Sequence, residues 1–234
     1  MEERKQSVRI QTSILNAGEK KILVWMAQRM PRWINSDTLT AIGLVGALII
    51  AAGYALSNLD IRWIWLANLG LLVNWFGDSL DGTLARVRNA QRPIYGFYLD
   101  HNIDVINEVI MFLGAGLSPL VNFSVAACAL AAYLMISVYV YISAHLKNEF
   151  KLTYAGLGPT EFRVIIFLAN IIFIYVKPIV AFKYELTLFG SPISLGILDF
   201  IAIAITVTLV IMFLVSFFKD ARYFSRLDPP KKWQ

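Results

Sequence analysis

One cysteine in 234 residues leaves no disulfide framework and no thiolate metal site; Cys128 lies alone in an apolar run. The two histidines, His101 and His145, do not cluster either. Charge is scarce: Asp, Glu, Lys and Arg make up 16% of the chain against 58% hydrophobic residues, and the mean hydropathy is +0.61. This is the composition of a polytopic membrane protein, and one domain is enough to hold it. A net charge of +5 does not signal nucleic acid, because the basic residues flank apolar segments instead of forming a patch on a soluble domain. Internal repeats and low-complexity tracts are missing, and the polar N-terminus has no apolar stretch of the kind that marks a cleaved signal peptide.

What is abundant is long apolar runs. Crossing a hydrocarbon core of ~30 Å takes about 20 helical residues. Six segments meet that length, near 38–57, 62–86, 96–118, 122–147, 159–181 and 194–218. The expected fold is all-α: six transmembrane helices forming a catalytic domain over 38–218, a cytoplasmic N-terminal segment over 1–37 and a basic tail over 219–234. In the N-terminal segment Ile14, Leu15, Ile22, Leu23, Trp25, Met26 and Met30 fall roughly on one helical face, opposite Glu19, Lys20, Lys21 and Gln28. That pattern predicts an amphipathic helix lying at the membrane interface, broken by Pro31-Arg32-Trp33. Ser36 or Asp37 is the expected N-cap of the first span.

Orientation follows from Lys and Arg. With the N-terminus inside, 18 of the 21 basic residues fall on the inner side, and only Arg62, Lys177 and Lys183 fall outside. The asymmetry predicts cytoplasmic termini, an even number of spans and a cytoplasmic loop at Val87–Tyr95.

Against this apolar background, four aspartates stand out: Asp78 and Asp81 in the second span, Asp100 and Asp104 in the third. A carboxylate at the centre of a membrane helix costs roughly 2.5–3.5 kcal/mol on insertion scales, so its default reading is functional. Spacings of three and four residues put each pair on one helix face. The two helices run antiparallel across a short basic loop, so the four carboxylates can converge at the cytoplasmic ends. Asp81 lies about 8 Å of helix rise above Arg86, inside the membrane edge yet within reach of a soluble nucleotide. Oxygen-only ligands select Mg²⁺, Mn²⁺ or Ca²⁺ over zinc. Beside Arg86, Arg88 and Arg92, they suggest metal-assisted phosphoryl chemistry. Gly82 and Ala85 leave room on the same side for a base or diphosphate to approach the backbone, Arg86 offers a fork for phosphate oxygens, and Gly96 would let the third helix pack closely on the second.

The full pattern is Asp78-x-x-Asp81-Gly82-x-x-Ala85-Arg86, nine residues, then Gly96-x-x-x-Asp100-x-x-x-Asp104. It resembles the signature of the CDP-alcohol phosphotransferase family at every position, and the six-helix layout with an interfacial first helix is similar as well. The resemblance implies an integral-membrane enzyme of phospholipid synthesis that moves a phospho-alcohol from a cytidine diphosphate donor to a hydroxyl acceptor and releases CMP. It implies two Mg²⁺ or Mn²⁺ ions, with Asp78, Asp81, Asp100 and Asp104 as ligands and Asp104 also as general base. Gly82, Ala85, Arg86 and Gly96 would lie on the substrate side. A homodimer among membrane lipids is implied too.

The acceptor is less legible. One subclass transfers from CDP-diacylglycerol to a polar alcohol, the other from CDP-choline or CDP-ethanolamine to diacylglycerol. Asp100-His101-x-x-Asp104 and Gly158-Pro159-Thr160-Glu161 resemble the second, whereas Asp104-Val105 is similar to phosphatidylserine-type members. Lys147, Glu161 and Arg163, with His101, are the candidate acceptor site. The rival from another class is a small cation or proton transporter, which also needs intramembrane carboxylates. Against it, the acids gather at one end and no broken-helix repeat pair is visible.

Overall fold

The computed structural model describes residues 8–10, 16–147, 149–151, 159–188 and 191–230. Its helices are α1 (Asn16–Arg29), α2 (Ser36–Leu56), α3 (Ile64–Val87), α4 (Pro93–Gly116), α5 (Phe123–Lys147), α6 (Pro159–Tyr175), α7 (Lys177–Ala181) and α8 (Ile197–Leu227). Strand β1 (Val8–Ile10) pairs in parallel with β2 (Glu149–Lys151), and β3 (Tyr184–Leu188) pairs antiparallel with β4 (Ser191–Leu195). These strands correct the all-α expectation. Tyr184 to Leu188 alternates apolar and polar residues, the period of a strand, in a stretch too short for another helix.

Among the described residues three helices, α2, α5 and α8, are long and apolar enough to cross a membrane. Helices α3 and α4 match them in length, at 24 residues each, but carry the acidic residues. The fifth predicted span stops early. Helix α6 ends at Tyr175, and Pro178 opens the short α7. Proline has no N–H to continue the ladder and disfavours helical backbone before it. The last helix runs past residue 218 to Leu227.

The N-cap of α2 is Asn35, one residue earlier than expected. Its backbone is extended, and its side chain accepts from the Thr38 N–H at 2.8 Å. This frees Ser36, whose hydroxyl donates to the Asp81 carbonyl at 2.9 Å.

Helices α2 and α3 form the tightest pair. Gly43, Gly46 and Gly53 line one face of α2, and Ala67, Gly70, Asn74 and Gly77 line the facing side of α3. The register is antiparallel: Gly43 lies against Gly77, Gly46 against Asn74, Ile50 against Gly70 and Gly53 against Ala67. A methyl group at Gly70 would stand 2.6 Å from the Ile50 backbone nitrogen, and at Gly77 it would collide with Gly43. Small residues at such spacing let helix backbones touch, which compensates in lipid for the missing hydrophobic drive. Asn74 adds a polar lock, donating from Nδ2 to the Gly43 carbonyl at 3.0 Å. Gly114 plays the same part for α4, seated against Ala51. Gly96, by contrast, meets open space, so the close packing expected of it is absent; it lies on the exposed first turn of α4, ahead of the buried contact.

Helix α1 rests on this pair. Leu23 and Ala27 are buried against Leu39, Leu80 and Leu84, while Ile22 and Trp25, expected on the same face, are more than half exposed. Arg88 secures the end of this segment by donating to the carbonyls of Met30 at 2.8 Å and Pro31 at 2.9 Å, and Arg92 pairs with Asp37 at 3.1 Å. Helix α8 is fastened to α5 at two places. Asp199, fully buried, accepts from Asn122, and Asp220 accepts from Tyr139, Ser143 and Lys147. In the turn before α3, the Arg62 guanidinium beside Asp60 holds that carboxyl down to about 2.

The glycine register makes a test. Gly77→Ala overpacks the α2–α3 contact, and overpacking typically costs about 1–3 kcal/mol. Its thermal midpoint in detergent is expected to fall, whereas Gly96→Ala is expected to melt like the wild type.

Candidate active site

Helix α3 ends through local chemistry that also aims the site. Asn89 adopts the left-handed backbone (φ 51°), and the Ala90 N–H turns back to the Ala85 carbonyl at 2.9 Å. Pro93 then stands in the first turn of α4, where its missing N–H costs nothing. The turn is short, so α4 runs back antiparallel and its aspartates meet those of α3.

Three carboxylates converge. Asp78, Asp100 and Asp104, all partly buried, each offer an oxygen within 4.8 Å of the others. Like charges at this spacing repel strongly in a poorly hydrated setting and call for a shared counter-charge. Helix α6 supplies one: Arg163 reaches Asp78 Oδ2 with Nη2 at 2.5 Å and Asn74 Oδ1 with Nε at 3.1 Å. Oxygen-only donors in this number suit a hard divalent cation, so the residues present fit the ion that the motif suggests.

Asp81 is placed differently. Its Oδ2 accepts from Thr40 Oγ1 of α2 at 2.7 Å, and its Oδ1 accepts from the Gly82 N–H. It stands beside the trio, held toward α2. A carboxylate has about four lone-pair sites, so these bonds leave capacity for an ion. Thr40, Ser36 and Asn74 are contributors that the motif did not disclose. Asn74 was the most accessible of them, since it sits one helical turn before Asp78 on the same face.

The substrate-side positions are partly gathered. Gly82 faces the Arg86 side chain, which a methyl group there would approach at 3.4 Å, and Arg86 Nη2 donates to Thr83 Oγ1 at 2.9 Å. Ala85 is half-buried beside them. Gly96 is exposed near the loop. His101 stacks on Phe97 with centroids 4.0 Å apart and meets Tyr141 of α5 edge-on at 5.1 Å. Its Nδ1 lies 2.9 Å from the Phe97 carbonyl and 3.8 Å from Asp100 Oδ2. One turn beyond Asp104, Glu108 hydrogen-bonds Tyr133 and keeps Oε2 buried without a partner.

The expected acceptor cluster is divided. Arg163 lies at the aspartates, Glu161 is buried at the start of α6, and Lys147 is committed to Asp220 at 2.6 Å. Arg88 and Arg92 bind the N-terminal segment, as described above. Arg163 meets Asp78 from α6, and Arg86 lies on α3 itself, one turn beyond Gly82.

The geometry separates the aspartates experimentally. Asp78→Asn, Asp100→Asn and Asp104→Asn are each expected to weaken Mn²⁺ binding by about tenfold or more, since each removes a charged oxygen ligand. Thr40→Val, which only unties Asp81, is expected to weaken it less. Calorimetric titration of the detergent-purified protein measures all four.

Comparison with known proteins bears on the family. The sequence model of CDP-alcohol phosphatidyltransferase matches residues 33–214, a range that contains all four aspartates and Arg163. The chain is 29% identical over 134 residues to the phosphatidylinositol phosphate synthase of Cutibacterium acnes, covering 55% of this chain and 62% of that protein. It is 31% identical over 138 residues to the archaetidylinositol phosphate synthase of Pyrococcus horikoshii, covering 59% and 70%. It is also 31% identical over 100 residues to mouse cholinephosphotransferase 1, covering 40% of this chain but only 25% of that protein. With its signature on the facing ends of α3 and α4 and the family's sequence model running through most of its length, the chain belongs to the CDP-alcohol phosphatidyltransferase family.

Proposed function

We propose that this protein transfers a phospho-alcohol group from a CDP-alcohol to a hydroxyl acceptor at the cytoplasmic face of a membrane, releasing CMP and forming a phospholipid. The observation that carries the reading is the meeting of Asp78, Asp100 and Asp104 within 4.8 Å at the paired ends of two antiparallel helices. Asp78, Asp100 and Asp104 would hold one divalent ion, and Asp81, using its remaining lone pairs, would help hold a second. Bound there, Mg²⁺ or Mn²⁺ would neutralise the diphosphate and polarise the phosphoryl oxygens. Arg163 and Arg86 supply guanidinium forks for phosphate oxygens on either side of the aspartates. Gly82 and Ala85 keep the α3 backbone open to the nucleotide. Asp104 takes the proton of the acceptor hydroxyl as it attacks, because an alcohol at neutral pH is otherwise a weak nucleophile.

The same reading includes six spans, α2, α3, α4, α5, α6 and α8. The acidic residues of α3 and α4 are placed toward one another and toward α2 and α6, which makes polar helices tolerable in lipid. The strong inward bias of Lys and Arg supports cytoplasmic termini and a cytoplasmic site. A transporter is the weaker reading, because the acids gather at one end of the helices and Arg163 closes them from the α6 side.

Both donor classes remain represented among the relatives, which include synthases named for inositol phosphate and cholinephosphotransferases. Purified protein offered CDP-diacylglycerol with serine, inositol, inositol phosphate or glycerol 3-phosphate, or CDP-choline or CDP-ethanolamine with diacylglycerol, is expected to release CMP with one class. No CMP from any pair would overturn the transferase reading.

Activity is expected to vanish in EDTA and return with Mg²⁺ or Mn²⁺; full turnover in metal-free buffer is the contrary result. Asp104→Asn should lower turnover by about 10²–10⁴-fold. It should retain more donor affinity than Asp78→Asn, as calorimetry with a CDP-alcohol would read. Topology is checked by single-cysteine labelling at residue 90 in a Cys128→Ser background: the probe should react only from the cytoplasmic side, and labelling from outside intact cells would refute the orientation.

A further inference from the structure

Two polar links join the start of α6 to α3, and Asn170 donating to Asn68 at 2.8 Å joins the two helices again further along. In the first, Arg163 of α6 binds Asp78 and Asn74 of α3. In the second, neither helix touches the other directly. Glu19 of α1 stands between them, its Oε1 accepting from Trp75 Nε1 of α3 at 2.8 Å and from Thr160 Oγ1 of α6 at 2.7 Å. Trp75 precedes Asp78 by three residues, and Thr160 precedes Arg163 by three. Residues three apart are neighbours on a helix face, so the Glu19 bridge holds α6 one turn before Arg163, on the face that carries the guanidinium. With Asn170 tied to Asn68 further along, the Glu19 bridge adds its constraint at the start of α6, the end that carries Arg163.

Helix α1 is itself anchored independently of α6. Leu23 and Ala27 are buried against Leu80 and Leu84, and Arg88 holds the carbonyls of Met30 and Pro31. A carboxylate on this strap is therefore a fixed point from which α6 can be held. Thr160, part of the Gly158-Pro159-Thr160-Glu161 stretch singled out in the sequence, thereby gains a role as the α6 end of the bridge.

We infer that Glu19 is a positioning residue for the reaction: through Trp75 and Thr160 it sets the N-terminus of α6 so that the Arg163 guanidinium meets Asp78 and the substrate phosphate. Glu19 touches no reacting atom. It acts through Arg163, and the inference rests on the transferase reading only for its kinetic readout.

The test compares Glu19→Ala, Glu19→Gln, Trp75→Phe and Arg163→Gln, and the Glu19→Ala/Arg163→Gln double variant, in the full-length protein in detergent. With the CDP-alcohol pair that the wild type uses, Glu19→Ala should lose about tenfold in kcat/KM, the scale of a lost hydrogen bond to a charged group. Glu19→Gln, which keeps an acceptor oxygen, should recover most of it. The double variant should be no worse than Arg163→Gln alone, because the two act in series. A second readout needs no turnover. Arg163 neutralises Asp78, so loosening it should tighten Mn²⁺ binding in calorimetry by a similar factor in Glu19→Ala and Arg163→Gln, with no further gain in the double variant. Should Glu19→Ala fail to fold, Trp75→Phe, which removes only one donor, should show both effects at reduced size. Wild-type kcat/KM in Glu19→Ala, losses that multiply in the double variant, or an Mn²⁺ affinity that moves in Arg163→Gln alone or in neither would overturn the inference. A wild type that releases no CMP would instead overturn the transferase reading, leaving the Mn²⁺ comparison to decide the role of Glu19.

Discussion

The constraint on which the structure depends is the backbone contact between α2 and α3. Their facing glycines and Ala67 let the two backbones approach closely over about three helical turns, from Gly43 against Gly77 to Gly53 against Ala67. In lipid, helices gain little by hiding apolar surface from each other, so close approach and polar locks must supply the association. The Asn74 amide on the Gly43 carbonyl is one such lock, and Thr40 on Asp81 is another. Because the contact admits only one register, it determines how deep Asp78 and Asp81 sit relative to the start of α2. Ser36 and Thr40 are thus in place to grip Asp81.

Once α3 is fixed, the acidic site is an electrostatic problem that the neighbouring helices share. Three carboxylates within 4.8 Å are brought together by the tight turn before α4, and Gly114 against Ala51 keeps α4 close enough for Asp100 and Asp104 to arrive. Helix α6 contributes Arg163, and the buried chain Tyr54–Asn170–Asn68 holds the far half of α6 to α2 and α3. Polar contacts away from water are strong when satisfied and costly when broken, so each of these ties selects a single arrangement. Helix α8 stands apart from this. It is fastened to α5 through Asp199 and Asp220 and shows most of its apolar surface outward, as a lipid-facing helix does.

The cationic residues illustrate how charge near a membrane is divided between anchoring and chemistry. Arg88 and Arg92 lie in the loop between the two acidic helices, yet both turn to the N-terminal segment. Lys147 goes to Asp220. The guanidinium that reaches the aspartates comes from a helix distant in sequence. Proximity along the chain was a poor guide here, because long side chains reach whichever carboxylate or carbonyl the packing presents.

The amino-acid sequence by itself determined the helical, membrane-embedded character, the positions of most helices and the acidic motif with its spacing. These are local properties: apolar run length, helical period and the spacing of Asp78, Asp81, Asp100 and Asp104 along two helices. Even the α2–α3 register was written there as small residues at Gly43, Gly46, Gly53, Gly70 and Gly77, although a pattern of absent side chains does not reveal its partner. Tertiary structure alone decided the rest. It paired Tyr184–Leu188 with Ser191–Leu195 and left Gly96 in open space. It turned Asp81 toward Thr40 while Asp78 met Arg163 across 85 residues of chain. The physical reason is that the spacing of residues sets which helix face a side chain leaves from, whereas its partner depends on which other helix packs there and at what depth.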